Sequence, residues 1–376
     1  MRIIFVLRSI VLSGGIERVM TEKANWLADH GHQVLFLTYE QSSHPLSFLL
    51  NSNVCYEDLN CQYYKVYRKN IIIRPLLKIV FKLKFRNRLK HIIFSFHPEV
   101  LVAPSNLEEF MGVATSMVKY VPIVLECHST HMDFLGSSKT LRKRLRNHMI
   151  VSFAKRCSLL ITLTEGDACY WKQFCQNVVA VPNPLSYYPE KIDKKYAIGK
   201  KIISVARLQA VKRIDRLIEA FALISNKHPD WHIEIYGDGT EKMSLLQMIE
   251  DRGLQGRISM LPPTMDIYKK YMESDFLVLS SDSEGFSLVL IEAMSCGVPV
   301  VSVACPFGPS EIVENGVTGL LTKMDVSDLA EKMEWMIVHE KERLEMGIHA
   351  RIAAKKYQKD TVMKEWERAY LSVHQK

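Results

Sequence analysis

The stretch Glu284-Gly285-Phe286-Ser287-Leu288-Val289-Leu290-Ile291-Glu292 follows the apolar run Phe276-Leu277-Val278-Leu279 and decides how the second half of the chain folds. Four apolar residues leading into a polar turn at 280–285 read as a strand buried on both faces, and residue 286 onward reads as a helix. The free N–H groups and positive dipole end of that helix would face the turn, which suits a diphosphate. On helical spacing the two carboxylates would lie about two turns apart and roughly 80° around the axis, so that they could touch opposite ends of one elongated ligand.

Working outward, the chain has 376 residues, 48% hydrophobic and 24% charged. It is too long for one ordinary domain, and two are expected. No apolar run reaches the roughly 18 residues that span a bilayer. Residues 1–7 run into Arg8 and a glycine turn, reading as a first strand and not as a signal peptide. The eight cysteines, Cys55, Cys61, Cys127, Cys157, Cys169, Cys175, Cys296 and Cys305, form no C-x-x-C pair, and several sit in apolar segments. This argues for a reducing, cytoplasmic setting without a zinc site.

Short apolar strands alternate with helical patterns through both halves, the grammar of parallel sheets covered by helices. The strands expected in the first half are 3–7, 33–38, 100–103, 123–127 and 159–163; in the second, 202–205, 232–236, 258–261, 276–279 and 298–303. Between the halves lies the proline-punctuated Val181-Pro182-Asn183-Pro184-Leu185 and the polar tract 186–199. The expected domains are therefore 1–185 and 186–356, with a last amphipathic helix, 357–376, crossing back to the first. The fold class is α/β: two Rossmann-like, doubly wound domains facing a central cleft.

Several strand ends carry candidate chemistry. Gly14-Gly15, after the first strand, would let the backbone approach a phosphate or sugar. The run Ser13-Gly14-Gly15-Ile16-Glu17-Arg18 lacks the third glycine of the dinucleotide fingerprint, which disfavours nicotinamide binding. Arg207 and Lys212 leave a strand just before a helix, where two cations can neutralise a departing diphosphate. Gly237-Asp238-Gly239 could approach a base or ribose, or be an ordinary turn. His128, at the carboxyl edge of the first sheet, is placed to project into the cleft and bond a sugar hydroxyl, though a structural histidine is an equal alternative.

Taken in order, the Gly-Gly loop, the strand-end histidine, the Asn183-Pro184 linker, the Arg207-Leu208 run with Lys212, the Gly-Asp-Gly turn and the Glu284-x7-Glu292 motif resemble the retaining glycosyltransferases of family four, of the GT-B architecture. The resemblance implies that Arg207 and Lys212 hold the donor diphosphate, Glu292 the ribose, and Glu284 the transferred sugar. The amides of Gly285, Phe286, Ser287 and Leu288 would frame that sugar and the phosphate, with Gly14, Gly15, Asn183, Gly237 and Asp238 completing the donor site. It further implies no cofactor beyond the nucleotide sugar, no essential metal, and front-face attack in which the leaving diphosphate helps deprotonate the acceptor. The loop Cys305-Pro306-Phe307-Gly308-Pro309-Ser310-Glu311-Ile312 resembles a variant common among users of UDP-linked galactose, N-acetylgalactosamine or N-acetylglucosamine that build bacterial surface polysaccharides, and so favours UDP. Gln209 and Ala210 replace the acidic residue or second glycine often found there, leaving donor choice open. An inverting hydrolase pair, its carboxyls about 6.5–9.5 Å apart, is disfavoured because Arg207 and Lys212 would lack an anion.

Net charge is +8, with 23 basic against 13 acidic residues in 1–185. From Leu59 to Pro98 there is no acidic residue, while Lys65, Arg68, Lys69, Arg74, Lys78, Lys82, Lys84, Arg86, Arg88 and Lys90 all occur. Mixed with bulky apolar residues, this arm reads as an interfacial helix on an anionic membrane, the run Arg142-Lys143-Arg144-Leu145-Arg146 extending it. Nucleic acid is disfavoured for want of stacking aromatics or a motif. A solvated helix face is the plain alternative. The partners expected are a nucleotide sugar and a glycan or polyprenyl-diphosphate-linked acceptor at the inner face of the cytoplasmic membrane. A non-catalytic nucleotide-sugar binder and a sugar-nucleotide epimerase on the same scaffold remain the competing functions.

Overall fold

The computed structural model describes residues 1–11, 14–67, 70, 72–136, 140–192 and 199–374. Ser13, Arg68, Lys69, the loop positions 137–139 and linker residues 193–198 lie outside them. The chain divides into two compact units, Met1–Pro184 with Val362–Lys376, and Leu185–Thr361.

In the first unit the strands are β1 (Arg2–Leu7), β2 (Gln33–Thr38), β3 (Val54–Asp58), β4 (Val100–Pro104), β5 (Ile123–Cys127), β6 (Leu159–Thr162) and β7 (Val178–Ala180), in the order β3-β2-β1-β4-β5-β6-β7. All pair in parallel, Ile3 lying beside Val34 on one side and Val100 on the other. The near-continuous burial of β1, β2, β4, β5 and β6 reflects helices on both faces, as parallel sheets require, whereas the edge strand β3 is largely exposed. The last helix, Lys359–His374, packs on this unit through Val362, Met363, Trp366 and Tyr370, all fully buried. It starts two residues later than expected, at Lys359: a 3-10 turn, Lys355–Tyr357, ends at Gln358, whose extended ψ of 143° interrupts the helical path.

The second unit holds β8 (Lys201–Val205), β9 (His232–Tyr236), β10 (Ile258–Leu261), β11 (Phe276–Leu279), β12 (Val300–Val303) and β13 (Gly319–Thr322), ordered β10-β9-β8-β11-β12-β13 and again parallel. Its core gathers Leu217, Ile218 and Phe221 of the helix Ile214–Ile224 against Leu329, Met333 and Met336 of Val326–Val338. Strand order reverses between β1 and β4 in one sheet and between β8 and β11 in the other. Open α/β sheets leave a crevice at such a point, outside the carboxyl ends of the strands. In the second unit those ends lead into Arg207 and Glu284.

Candidate functional site

The loop after β8 passes Arg207, makes a 3-10 turn at Ala210–Lys212, and enters the helix Ile214–Ile224 through Arg213, which takes a left-handed φ of 49°. The turn after β11 is stitched to it. Ser280 Oγ donates to the Lys212 carbonyl at 3.0 Å, and the Asp282 amide to that of Val211 at 2.9 Å. Asp282 also takes Arg216 at 2.6 Å, while the same guanidinium donates to the Ser280 carbonyl. The two loops at the switch point thus form one braced wall.

On that wall Lys212 Nζ meets Glu284 Oε1 at 2.7 Å, with Lys212 18% and Glu284 9% exposed at the side chain, and Ser281 Oγ donates to the same oxygen. Arg207 is exposed and forms no ion pair with the described residues. One cation is therefore held by a carboxylate and the other is free for an anion.

Glu284 does not sit on a helix, contrary to the spacing argument. The helix is Leu288–Ser295, and Glu284 instead bridges to Phe307. The physical reason is Ser287, whose left-handed φ of 60° turns the chain before the first helical residue. The estimate of two turns between the carboxylates accordingly lapses, and with it the hydrolase spacing. Ser287 is buried, and its Oγ has no hydrogen-bond partner beside the N-terminus of this eight-residue helix. Glu292, on the helix and 3% exposed, accepts from the Tyr271 hydroxyl at 3.1 Å. Burial pushes the Tyr271 phenol up and Glu292 adds to it, so the hydroxyl stays a donor.

The backbone behind Glu284 is tight. A Cβ on Gly308 would stand 2.9 Å from the Glu284 carbonyl, and Phe307 before it has a φ of 73°. Cys305, fully buried alongside, has its thiol pushed up to about 12 by burial, with Glu284 contributing. Gly237 and Gly239 are explained by packing: a Cβ on Gly237 would lie 1.9 Å from the Ala206 carbonyl, and one on Gly239 2.3 Å from that of Leu208. They let the Arg207 loop lie against β9. Asp238 between them is exposed and pairs with Lys242.

In the first unit neither Gly14 nor Gly15 has a positive φ, and a Cβ on Gly15 would meet nothing within 4 Å, so the space beside it is open. Asn183 is 5% exposed and its Oδ1 is buried without a partner. Of the two readings open for His128, the pairing seen is the structural one: the ring folds back so that Nε2 meets Glu126 Oε2 at 2.8 Å, with the side chain 3% exposed. Residues i and i+2 of a strand share a face, so this pairing was available to sequence reading as an acid within the apolar run of β5. The remaining partners of Glu126, which are Lys23 and Tyr370, come from 103 and 244 residues away and carried no such signal.

The basic arm is the helix Arg74–Phe96. Its later turns bury Phe85, Leu89, Ile92 and Ile93 in the core, while Leu76, Ile79, Val80 and Leu83 stay exposed beside Lys78, Lys82 and Arg86. Lys84 and Arg88 donate to the carbonyls of Asn60 and Leu59 after β3. Arg146 is likewise held, by Glu108 and the Phe134 carbonyl. No helix among the described residues is long and apolar enough to cross a membrane.

Comparison with known proteins fits this geometry. Residues 13–186 match the model of Glycosyltransferase Family 4, and residues 190–353 that of Glycosyl transferases group 1. The chain is 25% identical over 96% of its length to an uncharacterized glycosyltransferase of Haemophilus influenzae, covering 98% of it. It is 26% identical, covering 96% of its own length and 94% of the relative, to the N-acetyl-alpha-D-glucosaminyl L-malate synthase of Bacillus anthracis. Among solved structures, TarM of S. aureus, in complex with alpha-GlcNAc-glycerol and UDP, superposes with a TM-score of 0.77 at 15% identity, covering 98% of this chain and 99% of that one. Two Rossmann-like parallel-sheet units, both matched by glycosyltransferase family models, place the chain in glycosyltransferase family four with the GT-B fold.

Proposed function

We propose that the protein transfers a hexose or N-acetylhexosamine, with retention of anomeric configuration, from a nucleotide sugar to a glycan or lipid-linked acceptor in bacterial surface-polysaccharide synthesis. The observation that carries this reading is the wall at the second switch point. An unpaired Arg207, the Lys212–Glu284 pair and the orphaned Ser287 hydroxyl at a helix N-terminus gather there. Arg207 and the helix end offer donors to a diphosphate, and Lys212 turns from Glu284 toward the same phosphates as the donor binds. Glu284, freed of the lysine, accepts from hydroxyls of the transferred sugar, and Glu292 from the ribose. The amides of Gly285 through Leu288 frame sugar and phosphate. These groups stabilise the charge that develops on the leaving diphosphate, which takes the acceptor proton.

UDP is the nucleotide favoured, from the resemblance of the 305–312 loop and from the UDP bound in TarM. A surface polymer as acceptor is supported by relatives such as the Staphylococcus aureus poly(ribitol-phosphate) alpha-N-acetylglucosaminyltransferase, 28% identical over 64% of this chain and 48% of that protein. The exposed apolar and basic first turns of Arg74–Phe96 support work at an anionic membrane face, through Lys78, Lys82 and Arg86. The reading is tested by mass-spectrometric turnover of UDP- and GDP-sugars with membrane extract as acceptor and Glu284→Ala as control, the anomeric configuration of the product being read by NMR. Transfer from one donor, lost in the control, is the expected result. Isomerised nucleotide sugar without transfer, or nucleotide binding without turnover, would overturn it.

A further inference from the structure

The first unit contains a buried ion network that donor binding alone does not call for. Glu126, the only acid of β5, and Lys23 of the helix Gly15–Asp29 both have side chains with no exposed surface, and Lys23 Nζ donates to Glu126 Oε2 at 2.8 Å. Lys23 also lies over the ring of Trp366, and Tyr370 donates its phenol proton to Glu126 Oε1. His128 Nε2 shares the remaining contact, to Oε2 at 2.8 Å. Apolar side chains of similar volume would serve stability at least as well as a buried ion pair, so the network asks for another explanation.

Its chemistry supplies one. Burial alone would push the Glu126 carboxyl up; Lys23 and the His128 bond outweigh that and hold it at about 2. An ionised carboxylate only accepts, so the proton in the shared bond sits on His128 Nε2. Burial lowers the imidazole, and this outweighs the raising effect of Glu126, so the ring is neutral near pH 7. The lone pair is then on Nδ1, which forms no hydrogen bond with the described residues, on a side chain that keeps 3% of its surface exposed.

We propose that Glu126 is a positioning residue: it fixes His128 in the Nε2–H tautomer, so that Nδ1 accepts a hydrogen bond from a hydroxyl of the sugar substrate, while Lys23 and Tyr370 keep the carboxylate ionised and in place. This rests on the glycosyltransferase reading above. It gives the last helix a part in the reaction, since Tyr370 and Trp366 close the network from residues beyond 359.

Imidazole ¹⁵N spectra of the full chain, assigned with a His128→Gln variant, report the tautomer without turnover. The wild type is expected to show Nε2–H. In Glu126→Gln the side-chain amide can donate to Nε2, and the proton is expected to move to Nδ1 while kcat/KM falls by about tenfold or more. Tyr370→Phe removes one hydroxyl and is expected to give a mixed tautomer population and a smaller fall in kcat, which keeps the test open if Glu126→Gln does not fold. An Nδ1–H ring in the wild type, an unchanged tautomer in both variants, or normal turnover in His128→Gln would each overturn the proposal. Binding of UDP is measured beside these and is expected to be unchanged in all three variants, so loss of the positioning role is distinguishable from failure of the donor-site reading.

Discussion

Arg207 and Lys212 are both assigned to the donor diphosphate, yet the structure places them in opposite circumstances, and that difference can be measured. Arg207 is exposed and unpaired, so Arg207→Ala removes nothing that the fold uses and should change stability by no more than about 0.5 kcal/mol. A charge-assisted hydrogen bond to phosphate contributes about 1.5–3 kcal/mol, so the same change should weaken UDP binding by about 10- to 150-fold. Lys212→Met acts on both. It leaves Glu284, 9% exposed, without its cation, and Lys212 itself is partly solvated, so the stability loss should be about 1–3 kcal/mol, below that of a fully buried pair. For a unit of this size that lowers Tm by about 2–12 °C. Calorimetric titration with UDP at fixed salt, beside thermal melts of both variants, gives the two numbers for each. The reasoning is refuted if Arg207→Ala binds UDP like the wild type, or if it loses as much stability as Lys212→Met.

Glu284→Gln should leave UDP affinity within about threefold, within the spread of a neutral contact, while transfer falls by at least about 100-fold, an outcome read by product mass spectrometry; comparable loss of both would place the carboxylate on the nucleotide instead of the sugar. Ser287 holds a left-handed φ of 60° with its hydroxyl buried and unpartnered, so Ser287→Gly should raise stability by up to about 1 kcal/mol and weaken donor binding, melts and titration deciding; a gain in both would show that the strain has no functional counterpart. Replacing Lys78, Lys82 and Arg86 with serine should lower partitioning onto anionic vesicles by about two orders of magnitude, at about 1 kcal/mol per charge, and unchanged flotation would remove the membrane from the reading. The Glu126 carboxyl is held below its ordinary 4.5, at about 2, so the folded state binds fewer protons than the unfolded chain between those values. Stability from this group is present above pH 4.5 and lost as pH falls toward 2, and Glu126→Gln should flatten that limb of a Tm–pH curve.

What the sequence discloses and what it hides follow from the range of the interactions involved. The strand β11 and the helix carrying Glu292 are legible because four apolar residues and a polar turn are local signals, and tertiary contacts reinforce them. The position of Glu284 is not, because it depends on Ser287 and Phe307 adopting left-handed φ without being glycine, and no composition rule flags that. The strand-end glycines are legible as turns, but Gly237 and Gly239 are glycines because the Ala206–Leu208 backbone passes against them, a contact some thirty residues distant in sequence. The basic arm illustrates a third limit. Its charge is plain in the sequence, but only the three-dimensional fold shows that Lys84 and Arg88 are engaged by the carbonyls of Asn60 and Leu59 after β3. Charge count therefore overstates the surface available to a membrane. Conversely, a single glutamate in an apolar strand understates its importance, since the partners that make Glu126 an anchor arrive from both ends of the chain.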